Sequence, residues 1–479
     1  VRALLEMDRR QEDAEILSLS ETLAIAMANS RSYQFRKETL FIQALNLSEV
    51  QKDFNFNYNA SAGASTAMTS FKDGTTESFG DNGVNADLGA GISRTLATGA
   101  RVSLNFSKNL FGYFTDPDAS SQNSALTLNI VQPLLNGFGP LVTKEPLRQA
   151  ERSMVYATRD FKRYQQDFVI DIASQYYSVL RASDQLVNAR KKYESAVLNR
   201  ERSESMVKAG RIPDFQAAQT RLSELNAADS WTLAKSNYES ALDNYRFTLG
   251  LPIDLNVEPD PGELETLASK GLVEFDITLG EALSSALTNR LDLVNARMQV
   301  EDTARKLEIQ QRDFLPDLDV AYRASSLRGG SADVSQSLSV DLDLPFDWTE
   351  KRNDFRVAQI TLEREVRALA RDEDEVKRDV RDLWRKLERN RSVYNNRLLS
   401  VKLSTRTVEQ TSLSLKQGKA LTRDLLDAED GLTDARNAAT LALVDFTINR
   451  MRFWNAIERF EVDPKGMWYE RTEEPVATP

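Results

Sequence analysis

Apolar and polar residues alternate one for one in six stretches of this chain, and elsewhere apolar residues recur at helical spacing over long distances. In FNFNYNAS (54–61), Phe54, Phe56, Tyr58 and Ala60 alternate with Asn55, Asn57, Asn59 and Ser61. SLSVDLDLPF (337–346) sets Leu338, Val340, Leu342, Leu344 and Phe346 against Ser337, Ser339, Asp341 and Asp343. VNADLGAGIS (84–93), ARVSLNFSKN (100–109), SALTLNIV (124–131) and LPDLDVAYRAS (315–325) share the period. A period of two predicts strands with one apolar and one wet face. Two environments fit. A soluble antiparallel sheet buries the apolar face on a core, whereas a transmembrane barrel turns it to lipid around a polar lumen. Aromatic residues near strand ends (Phe54, Phe111, Tyr113, Phe114, Phe346, Trp348) suit the interfacial girdles of a barrel.

The helical pattern is longer than a compact domain accommodates. From Glu350 to about Gln417 neither proline nor glycine interrupts it, which amounts to about 100 Å of helix at 1.5 Å per residue. A second stretch runs from about Thr143 to Ala209, with Pro146 near its start, where proline is tolerated. Along it Phe161, Tyr164, Phe168, Ile172, Tyr176 and Val179 recur at steps of three or four, as in a coiled-coil seam. The other faces are densely charged, as in RDEDEVKRDVRDLWRKLERNR (371–391). Helices of this kind need each other, or further copies of the chain.

The plan occurs twice. LSLSETLAIAMANS (17–30) and ITLGEALSSALTNR (277–290) both open on an S/T-x-x-E capping box, Ser18 with Glu21 and Thr278 with Glu281. The two stay in step without a gap as far as KDF (52–54) against RDF (312–314). The long helices end in KAGRIPD (208–214) and KQGKALT (416–422), with Gly210 and Gly418 at the C-cap position. Return helices follow to about Leu249 and Phe460, and the halves align Tyr176 with Trp384, Tyr238 with Phe446 and Tyr245 with Phe453. The expected organisation is a first repeat over 1–250, with strands at about 54–135 and a helical hairpin at about 143–250. A proline- and acid-rich connector over 251–276 follows. The second repeat spans 277–460, with a β-hairpin at about 315–346 and a helical hairpin at about 350–460, and 461–479 form a tail. The first half is longer by a hairpin-sized piece around Val84 to Leu110.

Composition narrows the chemistry. The net charge of −11 argues against nucleic acid as a partner. With no cysteine and no histidine, disulfides, thiol nucleophiles, the usual zinc ligands and the commonest general base are absent. No phosphate-binding loop is present and no catalytic constellation stands out, so no enzyme activity, cofactor or metal is expected. No apolar run is long enough for a membrane-spanning helix. The chain opens on Val1 rather than methionine, so its natural N-terminus is expected to have been removed or left out.

Over nearly its whole length, from about Leu17 to Phe460, the chain resembles the TolC family of outer-membrane efflux proteins. IVQPLLNGFGP (130–140) and DLPFDWTEKRN (343–353) are similar to the family's strand-to-helix junction. LKQGKALTRDLLDAEDGLTDAR (415–436) resembles its second periplasmic turn, a glycine followed by Asp-x-x-Asp-Ala. The fold this implies is mixed α and β, with a homotrimer sharing one outer-membrane β-barrel. A long periplasmic α-helical barrel continues it, and each protomer is built from two structural repeats. The implied function is an exit duct in the outer membrane, extending into the periplasm. It would conduct substrate passively for a tripartite efflux or type I secretion system. The implied partners are outer-membrane lipid, a periplasmic adaptor protein and, through the adaptor, an inner-membrane pump.

Residue by residue, the resemblance places Asp424 and Asp427 in the rings that narrow the tunnel mouth, where threefold symmetry would gather like charges and favour cations. The competing role is complementing their own helix dipole. Gly210 and Arg211, with Gly418 and Lys419, fall on the turns where adaptors dock. The family's closing contacts use an arginine after the second glycine and an aspartate after the first; here those positions hold Ala420 and Gln216, with Lys419, Arg211 and Asp214 nearby. The resemblance also implies four strands per chain and twelve in the trimer, while this chain offers six. The extra hairpin is expected to stand outside the barrel, because SFGDNG (78–83) and FTDPDASSQNS (114–124) read as exposed loops. From another class, a soluble coiled-coil scaffold with a small capping sheet also fits the residues.

Overall fold

Both capping boxes form, and they set where each half of the fold begins. In the computed structural model Ser18 Oγ accepts the Glu21 N–H at 3.3 Å, and Glu21 Oε2 accepts the Ser18 N–H at 2.9 Å. Thr278 and Glu281 repeat both bonds at 3.3 and 2.9 Å. The structure describes residues 14–67, 70–73, 76–79, 83–113, 121–273, 277–328, 332–344, 346–463 and 466–470. The principal helices are α1 (Leu19–Asn29), α2 (Arg31–Asp53), α3 (Glu145–Lys208), α4 (Asp214–Leu249), α5 (Leu279–Asn289), α6 (Leu291–Arg312), α7 (Thr349–Lys416) and α8 (Thr422–Ala456). The strands of the main sheet are β1 (Asn57–Ala67), β2 (Gly83–Thr95), β3 (Arg101–Tyr113), β4 (Ser121–Pro133), β5 (Asp317–Arg328) and β6 (Ala332–Asp343). Among the described residues, no helix is long and apolar enough to cross a membrane.

The chain divides into two compact units, each drawing on both halves of the sequence. The first comprises residues 1–38, 159–294 and 371–479. Its core forms where α1, α5 and the return helices α4 and α8 meet the middle of α3 and α7. Tyr176, Tyr245, Leu387 and Phe453 are fully buried there. Tyr176 and Tyr245 meet edge-on with centroids 6.3 Å apart, and their repeat equivalents Trp384 and Phe453 do the same at 5.8 Å. Such pairs contribute about 0.5–1.5 kcal/mol beyond their burial. The duplication in the sequence is thus a duplication in packing. Tyr245 stays satisfied by sharing a 2.7 Å hydrogen bond with the hydroxyl of Thr22.

The second unit comprises residues 39–158 and 295–370 and contains the sheet. All six strands lie side by side in the order β6-β5-β4-β3-β2-β1, antiparallel throughout. The expectation that the extra hairpin stands apart is therefore corrected. β2 and β3 sit between β1 and β4, paired over 11 residues on one side and 11 on the other. Their alternation matches the neighbours' pleat, so insertion keeps most of their apolar residues on one face, Phe111 excepted. Ser121–Ser124, read as loop, belong to β4. The rest of that stretch, 114–120, lies outside the described residues, as do 80–82 of the other polar segment and 471–479 of the tail. Ser78 and Phe79 close a separate short hairpin, Ser70–Asp73 paired with Thr76–Phe79.

Candidate functional site

The register of the sheet sorts its side chains into two continuous faces. One carries the even-numbered positions of every strand. Tyr58 lies opposite Ile92, Ile92 opposite Leu104, Leu104 opposite Leu128, Leu128 opposite Ala324 and Ala324 opposite Gln336. Around that line Val84, Leu88, Phe106, Leu126, Ile130, Val320, Leu338 and Val340 complete an apolar surface. Among the described residues nothing covers it: Leu338 is 70% and Val340 64% exposed. An apolar surface spanning six strands exceeds what a soluble chain leaves in water, so it marks contact with lipid or another nonaqueous partner.

The odd-numbered face is mostly polar, with Phe111, Val131 and Leu327 as its large apolar exceptions. Asn109 donates to Asp87 at 2.7 Å and Asn85 donates to the same carboxylate at 2.9 Å. The hydroxyls of Ser325 and Ser335 meet at 2.8 Å, and Ser339 donates to Asp341 at 3.2 Å. Asp341 and Asp343 lie on this face as expected, directly opposite Asp319 and Asp317. Like charges across an antiparallel pair repel, so this end of the sheet is acidic and favours water and cations.

Where strands pass into helices, a buried ionic cluster joins α3 to α6. Arg305 donates to both carboxylate oxygens of Glu145, at 2.6 and 3.1 Å, and to Asp302 at 2.9 Å. Asp302 also accepts from Arg152 and, at 2.6 Å, from the Tyr156 hydroxyl. Arg152 reaches Glu301 at 2.7 Å and the Met298 carbonyl at 3.1 Å. The side chains of Asp302 and Arg305 are only 5% and 8% exposed. Burial pushes the Asp302 carboxyl up, but the hydrogen bonds from Tyr156, Arg152 and Arg305 together outweigh it and hold it below the usual carboxylate range.

The two helical turns share one geometry. Gly210 and Gly418 have φ of 66° and 70°, left-handed values that a Cβ disfavours. Arg211 N–H reaches back to the Met206 carbonyl at 2.9 Å, and Lys419 N–H to that of Ser414 at 2.9 Å. Each is a Schellman closure. Asp424 Oδ2 accepts the Leu421 N–H at 2.9 Å, capping α8, while Asp427 pairs with Arg423 at 3.7 Å on the exposed surface.

No protein-family model matches the chain, and no curated protein matches it in sequence. Solved structures do. The outer-membrane channel CmeC of Campylobacter jejuni superposes with a TM-score of 0.67 at 16% identity, over 92% of this chain and 85% of that one. The outer-membrane protein VceC of Vibrio cholerae gives 0.66 at 13% identity, over 92% and 95%. The open state of the MtrE outer-membrane channel of Neisseria gonorrhoeae gives 0.65 at 14% identity, over 92% and 88%. The fold is that of the outer-membrane channels.

Within this channel fold most residues singled out from sequence take up definite places, and some correct their reading. Phe111 falls on the polar face, since its odd position puts it opposite Asn85 and Ser121 rather than among the apolar side chains. Phe114 lies outside the described residues. Trp348 stacks on Phe314 at 6.0 Å, and Phe314 meets Phe355 edge-on at 5.7 Å, while Phe346 stands exposed. Asp424 accepts the Leu421 N–H at the start of its own helix. The cluster around Asp302 escaped the sequence reading; its only signal was the i, i+3 spacing of Asp302 and Arg305, common on solvated helices.

Proposed function

We propose that this chain is the exit duct of a tripartite efflux or secretion machine, working as a homotrimer in the outer membrane and extending into the periplasm. The observation that carries the reading is the exposed apolar face running across all six strands above a mostly polar one. Six strands do not close a cylinder in one chain, and open strand edges cannot face lipid, so further copies must complete it. The apolar face meets outer-membrane lipid and the polar face lines water. The duct carries out no chemistry. Energy comes from an inner-membrane pump, and a periplasmic adaptor docks at the turns around Gly210, Arg211, Gly418 and Lys419.

Extraction tests the reading. The protein should resist carbonate, require detergent, migrate as a trimer and conduct ions across a planar bilayer. A chain that washes off with salt or carbonate is instead a peripheral scaffold.

In the trimer, Asp424 and Asp427 form acidic rings at the periplasmic mouth. Bilayer recordings of Asp424→Asn with Asp427→Asn should show a several-fold loss of cation preference. Unaltered selectivity would leave Asp424 with its capping role alone.

A further inference from the structure

The apolar face of the sheet carries charge of one sign only. No even-numbered position of the six strands is acidic, and Asp87, Asp317, Asp319, Asp333, Asp341 and Asp343 all lie on the opposite face. Two even positions on adjacent strands, Arg94 of β2 and Lys108 of β3, are nevertheless basic. We propose that Arg94 binds the phosphate of a phospholipid headgroup in the leaflet on the helix side of the sheet. This rests on the exit-duct reading above, in which the face meets lipid and that leaflet is the periplasmic one.

Arg94 is the last even position of β2, one residue before the strand ends at Thr95 on the side where the chain passes into helices. Its guanidinium is held by backbone and ring together. Nε donates to the Phe54 carbonyl at 3.2 Å, and Cζ lies 4.9 Å from the centre of the Phe56 ring. Phe56 stands one step beyond the last pair of β1 with β2, Asn57 with Ser93, so it is level with Arg94 on the same face. These contacts draw the charge to the helix end of the face and occupy Nε, which leaves both terminal nitrogens to a ligand. Among the described residues no carboxylate pairs with Arg94.

The second repeat shows a self-sufficient version of this corner. Lys351 Nζ lies 5.7 Å over the Trp348 ring, which stacks on Phe314, the equivalent of Phe54. There the lysine charge acts on the carboxylate of Asp313. The first repeat keeps the ring and the cation but takes its anion from outside the chain.

A membrane supplies that anion at the right level. An unpaired cation is costly amid hydrocarbon and nearly free at the interface. A guanidinium offers two parallel N–H donors to two phosphate oxygens, a fit that an ammonium lacks. One row further into the face, Tyr58, Ile92 and Leu104 lie level with one another and line the path of an acyl chain. Lys108 lies six residues along β3 from Val102, the partner of Arg94. At about 3.3 Å per residue and a tilt of about 40°, their Cα levels differ by about 15 Å. An apolar band about 25 Å tall then leaves about 10 Å, which two long side chains reaching for opposite edges cover.

Native mass spectrometry of the detergent-solubilised trimer tests the site, with dioleoyl phosphatidylglycerol or dioleoylglycerol added. The two lipids share their acyl chains and differ in the phosphate headgroup. The parent should retain phosphatidylglycerol several-fold better than dioleoylglycerol, and excess inorganic phosphate should compete only weakly. Arg94→Gln should cut that preference several-fold while still migrating as a trimer. Arg101→Gln, on the polar face of β3, should keep it. Equal retention of the two lipids by the parent overturns the site without any variant, and so does an unchanged preference in Arg94→Gln. Displacement of phosphatidylglycerol by equimolar inorganic phosphate overturns the lipid as its occupant. Each of these leaves the exit-duct reading standing, whereas a chain released from membranes by carbonate overturns both.

Discussion

Replacing Asp302 by alanine is expected to cost the folded chain about 3–5 kcal/mol, the range for removing one partner of a buried ion pair. Asp302 is the common acceptor for Arg152, Arg305 and Tyr156. Without it two guanidinium groups and a hydroxyl lose their shared partner in a site that water barely reaches. Glu145 and Glu301 still hold Arg305 and Arg152, which places the loss toward the lower end of that range. Asp302→Asn keeps an acceptor for Tyr156 and removes only the charge, so it should fall between the two. Because folding holds this carboxyl below its usual range, its contribution is complete above about pH 4 and is lost as pH falls through the depressed value. The acid limb of thermal stability, followed by circular dichroism in detergent, should therefore flatten in Asp302→Asn. An acid limb identical to the parent's would show that the cluster contributes no linkage.

Much of this fold is legible from local rules. Capping boxes at Ser18 and Thr278, the proline-free stretches of α3 and α7, and the glycines at 210 and 418 each act through chemistry within a few residues. The strands are legible for the same reason, because a period of two is a local property. Choice of strand partner is not. The placement of β2 and β3 inside the sheet depends on pairing with β1 and β4, which no local pattern encodes, and the polar segments on either side pointed away from it. Phe111 was misplaced because residue type suggested an interfacial ring, whereas its parity within β3 decides the face. Asp302 was invisible because an acidic residue beside Arg305 on a charged helix looks the same whether water or another helix covers it.

The duplication connects what is local to what is not. Once both halves are aligned, the buried pair Tyr176 with Tyr245 has its equivalent in Trp384 with Phe453. The junction of α3 with α6 is polar and closed on itself, fixed by a network with directional bonds. An ionic junction suits a contact that forms once during folding of one chain, with its partners held nearby.

The second large effect is expected on the sheet. Leu126 lies near the middle of β4 on the apolar face and is half exposed in the single chain, and Thr127 beside it lies on the polar face. If the apolar face meets hydrocarbon, Leu126→Arg places a charge near the bilayer midplane, at a cost of about 2–4 kcal/mol per chain. Symmetry repeats that cost in every copy, so trimers in the outer membrane should fall to a small fraction of the parent level. Thr127→Arg adds the same charge one residue away but directs it into water; it should assemble normally and lower cation conductance. The contrast separates the two environments that the alternation alone leaves open. On a face bathed by water, Leu126→Arg would be harmless or would improve solubility, and the two variants would assemble alike. Heat-modifiable migration of outer-membrane fractions reads the outcome, and equal trimer yields from both variants would remove lipid as the partner of this face.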